Sequence, residues 1–477
     1  MAKNELLWQM LLKNLNKIYG EKIMAKVYLK SLGCPKNRVD AEHMLGIAQS
    51  DGHELVENAQ DADTLIINTC AFINEAKEES IDNILQLAKI KEDFGHDKKL
   101  IVTGCLAQRY GNELEQEIPE VDYFLGTSDY SAIKNVLEKN NQKSNLIGLN
   151  YKKNKNLVTK ELAFIERFDL PRINTLSSFS AYMKISEGCD NACAFCIIPK
   201  LRGKQRSRSI EDLVKEAESF AKNGVVELNL IGQDLTAYGF DLENRPTLGD
   251  LLKALSKVEG IKWIRQMYAY PRSFKPEYYE AFANSNVLPY IDMPLQHGSA
   301  NVLRNMRRGG SKDRLTNIIK GLRDNIPNLV LRTTMMVGFP GETHEDFLQL
   351  MDFVKENRFE RLGAFRYSNE ENTDAYDFSE QVEESVKEER YSALMALQKS
   401  ISKENMEAMI GTVQEAIVTG ISLEHEYLLE GRLWSQAPEI DGITYISSYK
   451  SLKPGEIVKI KITQASEYDV VGEVIDL

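Results

Sequence analysis

Residues 180–200 read SAYMKISEGCDNACAFCIIPK, a strand-like run that delivers Cys189, Cys193 and Cys196 in C-x3-C-x2-C spacing. Cysteine thiolates hold iron–sulfur clusters, usually four to a cubane, so a three-cysteine loop leaves one iron open to another ligand. Structural zinc takes four protein ligands, and nothing downstream of Cys196 supplies a further Cys or His pair. Zinc is therefore the weaker reading of this loop.

Working outward, the chain after residue 180 offers six candidate strands: SAYMKISEG, VVELNLIGQD, KWIRQMYAY, YIDMPLQ, LVLRTTMMVGF and RLGAFRYS. Helical stretches separate them, such as IEDLVKEAESFAKNG, with apolar residues at Ile210, Leu213, Val214, Ala217 and Phe220, and EDFLQLMDFVKEN before the last strand. Six β/α units predict an incomplete barrel over residues 179–410, closed by a charged helix from about 383 to 409. The cysteine loop follows the first strand, at the end where such barrels carry their sites.

Upstream, residues 24–140 alternate strand-like and amphipathic runs, the pattern of a parallel α/β sheet. Three of these strands end in cysteine: KVYLKSLGC at Cys34, TLIINTC at Cys70 and LIVTGC at Cys105. A single cysteine is more often a small core residue than a ligand. Three at one sheet edge, at intervals of 36 and 35 positions, predict a second three-thiolate site, because parallel sheets gather ligands beyond their carboxyl ends. The neighbours Lys36, Asn37, Arg38 and Asp40 read as solvated surface.

Residues 411–477 change to short alternating runs around Gly420, Gly431, Gly442, Pro454-Gly455 and Gly472, a small β-barrel module. This module holds eleven Asp or Glu against five Lys or Arg, a balance of −6 within a chain of net charge −12. Nucleic-acid binding depends on neutralising phosphates with Lys and Arg, so the module suits a basic protein partner better than RNA. Between the two larger domains, residues 141–178 read as a polar linker, with Lys152, Lys153 and Lys155 on a solvated face.

Residues 1–23 place Leu7, Trp8, Leu11, Leu12, Leu15, Ile18 and Tyr19 at helical spacing with charges between them, not as the apolar core of a secretion signal. They read as an extension, either ahead of an alternative start at Met24 or as a docking helix. No window reaches the roughly 18 to 20 apolar residues of a membrane span. A cytosolic, reducing location follows, in which the six cysteines act as ligands or nucleophiles and not as disulfides.

The order of these parts, from residue 24 to 477, resembles the radical S-adenosylmethionine (SAM) methylthiotransferase family, whose terminal β-barrel is the TRAM domain. The resemblance is carried by SLGCPKNRVDAE at 31–42, AYMKISEGCDNACAFCIIPKLRG at 181–203, IGQDLTAYG at 231–239, YAYP at 268–271, YIDMPLQHGSANVLRNMRRGGS at 290–311 and APEIDG at 437–442. These stretches favour the branch that modifies an aspartate of ribosomal protein S-twelve. The alternative branch, acting on an adenosine beside the tRNA anticodon, more often has Gln-Ser where this chain has Gln296-His297, and His-Pro where it has Tyr270-Pro271. The sequence departs from the family at Leu433 and Gln436, and lacks a glycine expected just before Thr373.

The resemblance implies a [4Fe-4S] cluster with SAM on its open iron at Cys189, Cys193 and Cys196, and a second [4Fe-4S] cluster, where sulfur is held, at Cys34, Cys70 and Cys105. Two SAM molecules per turnover, an external low-potential electron donor and a sulfur donor are implied with them. Phe195 fits the aromatic position before the third cysteine. Gln233, Arg332, Gly338 and Glu342 are candidates for the organic parts of SAM; a Gly-Pro turn ending a strand and a surface arginine are their ordinary explanation. His297 reads as a hydrogen-bonded structural histidine.

Overall fold

The computed structural model describes residues 24–138, 155–272, 274–422, 424–425 and 427–475. The extension at 1–23, with Lys152 and Lys153 of the linker, lies outside the described residues. Two compact units result, one comprising Met1–Phe164 with Leu170–Ile173, the other Ile165–Asp169 with Asn174–Leu477.

In the first unit, β1 (Lys26–Ser31), β2 (Glu54–Leu55), β3 (Thr64–Thr69), β4 (Lys99–Gly104) and β5 (Tyr123–Leu125) form one sheet in the order β2-β1-β3-β4-β5. All its pairings are parallel. TLIINT and KLIVTG are buried along their whole length, as expected of strands covered on both faces by crossover helices. Val27, Ile66 and Ile101 meet Met44 and Ile47 of the helix Pro35–Ser50 in the core. Strand order reverses between β1 and β3, and such a switch point opens a crevice beyond the carboxyl ends. Residue 155 belongs to this unit, and Lys155 is not on a solvated linker face as expected: its Nζ donates to the Pro119 and Val121 carbonyls at 2.8 and 2.9 Å.

The second unit opens with β6 (Ser180–Lys184), followed by the short antiparallel pair β7 (Ser186–Glu187) and β8 (Arg206–Ser207). Then come β9 (Glu227–Ile231), β10 (Trp263–Gln266), β11 (Val287–Asp292), β12 (Val330–Val337) and β13 (Arg361–Arg366). The six expected strands are present and lie in chain order, β6-β9-β10-β11-β12-β13, all parallel. Side chains alternate across this sheet. Ala181, Met183, Leu228, Leu230, Ile264 and Ile291 pack into the apolar cluster shared with the helices, while Lys184, Glu227, Asn229, Arg265, Tyr290 and Asp292 are buried polar residues on the intervening positions. Helix starts are fastened where the sequence supplies caps: Ser209 accepts from Asp212 N, and Thr247–Asp250 and Thr343–Asp346 form reciprocal capping boxes.

The charged helix runs from Glu384 to Glu407 and is pinned to the sheet edge by Gln398, which donates to the Phe359 carbonyl at 3.0 Å. Beyond it, β14 (Val413–Ile421), β15 (Leu429–Leu433), β16 (Thr444–Ser447), β17 (Ile457–Ala465) and β18 (Val470–Val474) close into a barrel in the order β14-β15-β16-β18-β17. This barrel is bolted to the polar face of the larger sheet. Glu227 accepts from Arg432 at 2.5 Å and Arg265 at 3.1 Å; Arg265 also donates to the Trp434 carbonyl at 2.8 Å, and the Tyr290 hydroxyl donates to Asp441 at 2.7 Å.

The family departures have local explanations. Asn372 holds φ at 64°, so asparagine, the side chain best tolerated there, takes the left-handed position for which glycine was expected. Leu433 is a fully buried core residue of the small barrel, and the Gln436 side-chain carbonyl accepts from Leu433 N at 2.8 Å and Thr444 Oγ1 at 2.6 Å.

Candidate active site

The first cysteine set sits at the ends of β1, β3 and β4, where the backbone is built for close approach. Gly33, before Cys34, holds φ at 84°, and a Cβ there would stand 2.7 Å from Cys70 Cβ and 3.0 Å from its Sγ. Gly104, before Cys105, holds φ at 94° and lies against Asn68 and Thr69, the residues just ahead of Cys70. Larger residues at either position would drive the three cysteine-bearing ends apart. Cys70 and Cys105 are buried and Cys34 is half-buried.

Asn37 ties these ends together. Its Nδ2 donates to the Leu32 and Thr69 carbonyls at 3.1 and 2.9 Å, its Oδ1 lies 3.8 Å from Cys105 Sγ, and its own carbonyl accepts from Asn68 at 2.6 Å. The expectation of solvated surface at 36–40 is therefore corrected. Lys36, Asn37 and Asp40 are buried, because the helix starting at Pro35 packs its first turn onto the strand ends. Nothing in residue type alone separates a buried fastening asparagine from a solvated one; its position one turn after a strand-end cysteine was the available signal.

The second set follows β6. Cys189 Sγ accepts from the backbone N–H and the side-chain amide of Asn191, both at 3.4 Å. Asn191 donates in turn to Asp234 at 2.8 Å, and Asp234, buried beyond the end of β9, is held by Arg272 at 2.6 Å. Cys193 Sγ accepts from Arg308 at 3.5 Å. Between the thiols, Ala194 is anchored on both sides, its N–H to the Met306 carbonyl and its carbonyl to Ala375 N. Burial pushes the Cys189 thiol up and raises Cys196 to about 12, so both thiols keep their protons at neutral pH and would give them up to a bound metal.

Among the described residues, no group of three His, Cys, Asp or Glu side chains encloses the position of a single ion. A cubane does not need such an enclosure, because each thiolate binds a different iron at a separate corner. The donor chemistry, the amide and guanidinium donors aimed at sulfur, and the glycine-enforced approach upstream fit such a group at both sets.

Beneath the loop lies a buried charged network. Glu187 accepts from Lys184 at 2.7 Å, Arg202 at 2.9 Å and the Gln233 amide at 2.6 Å. Burial alone would raise this carboxyl; Arg202 and Lys184 hold it down to about 2. Gln233 thus stands at the loop, and among the described residues its buried Oε1 has no hydrogen-bond partner. Phe195 packs edge-on to Phe339 at 6.5 Å in an apolar cluster with Met306, Met336 and Tyr367.

Three other candidates are engaged within the protein. Glu342 accepts from Gly338 N at 2.6 Å, Phe339 N at 3.2 Å and Arg390 at 2.9 Å, which fastens the GFPGE turn. Gly338 holds φ at 75°, and a Cβ there would stand 2.2 Å from Lys387 Cγ, so its lack of a side chain serves helix packing. Arg332 pairs with Asp292 at 3.0 Å, with Asp441 of the small barrel 3.8 Å from its Nε. His297 is fully buried and accepts from Ser299 N at 2.9 Å, in keeping with its structural reading. Residue-by-residue reading missed Asn191, Tyr270, Arg272 and Arg308; all but Asn191 lie on other strand ends and turns, far from the loop in sequence.

Comparisons with known proteins agree with this architecture. Residues 26–126 match the Uncharacterized protein family UPF0004, 183–354 the Radical SAM superfamily and 410–475 the TRAM domain. Among solved structures, the radical SAM methyltransferase TsrM from Kitasatospora setae shares the fold with a TM-score of 0.53 at 12% identity, over 72% of this chain and 75% of that one. Ribosomal protein uS12 methylthiotransferase RimO from Myxococcus xanthus is 49% identical over 94% of this chain and 92% of its own length. RimO from Anaeromyxobacter sp. (strain Fw109-5) is 50% identical over 94% and 93%, and RimO from Clostridioides difficile is 46% identical over 95% and 99%. With such identity to these relatives across nearly its whole length, the chain belongs to the RimO family of radical SAM methylthiotransferases.

Proposed function

We propose that this chain methylthiolates the β-carbon of an aspartate in ribosomal protein uS12, using two [4Fe-4S] clusters and two SAM molecules per turnover. The observation that carries this reading is the pair of three-cysteine sets, each at the carboxyl ends of its own parallel sheet. A chain that only made a radical would need one set. When bound, the cluster at Cys189, Cys193 and Cys196 supplies a 5′-deoxyadenosyl radical from SAM, and the one at Cys34, Cys70 and Cys105 holds the sulfur to be transferred.

The protein's own part is positioning and exclusion of water. Asn191, fixed by Asp234 and Arg272, sets the Cys189 sulfur, and the apolar packet around Phe195 shields one flank of the loop. Gln233 Oε1, buried without a donor among the described residues, is suited to accept from an ammonium or hydroxyl of SAM. Gly338 and Glu342 shape the neighbouring turn, and Arg332 is already paired with Asp292.

The acidic small barrel favours a basic protein partner over tRNA. Among the described residues no helix is long and apolar enough to cross a membrane; we place the protein in the cytoplasm, with its ribosomal substrate, an electron donor and a sulfur donor. Mass spectrometry of uS12 from cells with and without the gene tests the assignment. Methylthio-aspartate should vanish on deletion and return with a plasmid copy. An unchanged uS12, with a methylthio group lost from tRNA nucleosides instead, would transfer the chain to the tRNA branch.

A further inference from the structure

Arg308 is buried beside the cysteine loop, 7% exposed, two residues beyond the end cap of the helix Ala300–Asn305. Its Nη1 donates to Cys193 Sγ at 3.5 Å, its Nη2 to the Pro294 carbonyl, and its guanidinium lies 4.3 Å from the centre of the Tyr270 ring. The Tyr270 hydroxyl donates back to the Arg308 carbonyl at 3.4 Å, so side chain and main chain of Arg308 are both held by one tyrosine.

Among the described residues this arginine has no acidic partner. Arg202 pairs with Glu187, Arg208 with Glu216, Arg390 with Glu342, and Arg265 and Arg432 share Glu227. Among the described residues, the polar partners of Arg308 are a sulfur and a carbonyl, and its buried Nε has no acceptor. A buried charge left uncompensated is costly, so a partner of opposite charge is expected in the space it faces. Of its two hydrogen-bond partners, the one able to become anionic is the Cys193 sulfur, once it is a thiolate on iron.

We propose that Arg308 is a positioning residue for the cysteine-loop cluster, which gives the Cys193 sulfur a charged hydrogen bond and so raises the cluster's reduction potential. Each added electron makes a cluster more negative, and a donor and positive charge at its sulfur stabilise the reduced state more than the oxidised one. Tyr270 keeps the guanidinium in place. The inference rests on the proposed ligand role of Cys189, Cys193 and Cys196.

The test uses the full chain carrying Cys34→Ala, Cys70→Ala and Cys105→Ala, reconstituted anaerobically with iron and sulfide, so that one cluster is titrated. Its midpoint is followed by electron paramagnetic resonance without SAM. Arg308→Gln should lower the reduced-to-oxidised ratio at fixed potential about tenfold, equivalent to about 59 mV for one electron. Arg308→Lys, which keeps the charge and loses the fork, should give a smaller shift in the same direction and serves if Arg308→Gln takes up no iron. An unchanged midpoint at full iron content overturns the proposal, including the case in which only SAM affinity falls and Arg308 proves to be a SAM contact. If the chain without Arg308 substitutions binds no iron, the ligand assignment fails, and this inference with it.

Discussion

Gly33 and Gly104 show how the first cysteine set depends on single residues. Both have left-handed backbone, and both sit where a methyl group would strike the neighbouring strand end. Gly33→Ala should cost about 1–2 kcal/mol from backbone handedness, and its 2.7 Å contact with Cys70 Cβ must displace that cysteine. We expect a modest fall in melting temperature and, if both proposed cluster sites form, a loss of about half the reconstituted iron. Full iron retention would show that the approach of Gly33 to Cys70 is not part of the site. The six cysteines themselves were legible in the sequence because thiol spacing and strand-end position report chemistry directly. Asn37 was not, since an asparagine at a helix start has the same propensity whether it faces solvent or three strand ends. Tyr270 and Arg308 were quoted within family-like stretches, yet no pattern in one dimension announces that a ring and a guanidinium from separate turns will stack.

At the scale of elements, strand alternation was readable: apolar positions in ELNLI and SAYMK face the helices, and the expected order of six strands is the observed sheet. The polar positions on the other face carried a less obvious consequence. Glu227, at the start of β9, joins Arg265 of β10 to Arg432 of the small barrel. Burial would raise its carboxyl, but Arg432 and Arg265 hold it down to about 2. Because the folded value lies below the ordinary 4.5, this triad stabilises the fold fully above pH 4.5 and loses its contribution as pH falls toward about 2. The difference amounts to about 3 kcal/mol. Glu227→Gln should remove that part of the acid sensitivity and, by leaving two guanidiniums buried without their acid, cost about 3–5 kcal/mol at neutral pH. Denaturant melts across the acid range check both effects; a variant with wild-type stability and the same acid slope would show that the triad contributes nothing. In sequence the small barrel reads as a module of its own, because ion pairs between residues 205 positions apart leave no local pattern.

For the whole molecule, the order of parts was legible because each has its own period and punctuation: buried parallel strands ending in cysteine, six β/α units, then short strands between glycines. The seam was not. Residues 155–164 and 170–173 belong to the first unit and 165–169 to the second, so the stretch read as linker is distributed between two cores. The proposed function requires two open cluster sites in one chain, one for making a radical and one for holding sulfur. Iron bound per chain after anaerobic reconstitution distinguishes two such sites from one, when measured in the wild type, in Cys34/Cys70/Cys105→Ala, in Cys189/Cys193/Cys196→Ala, and in the chain lacking all six. Each triple variant should keep about half the wild-type iron and the sixfold variant none, as two independent three-thiolate sites require. Wild-type iron in the Cys34/Cys70/Cys105→Ala chain would rule out the second site.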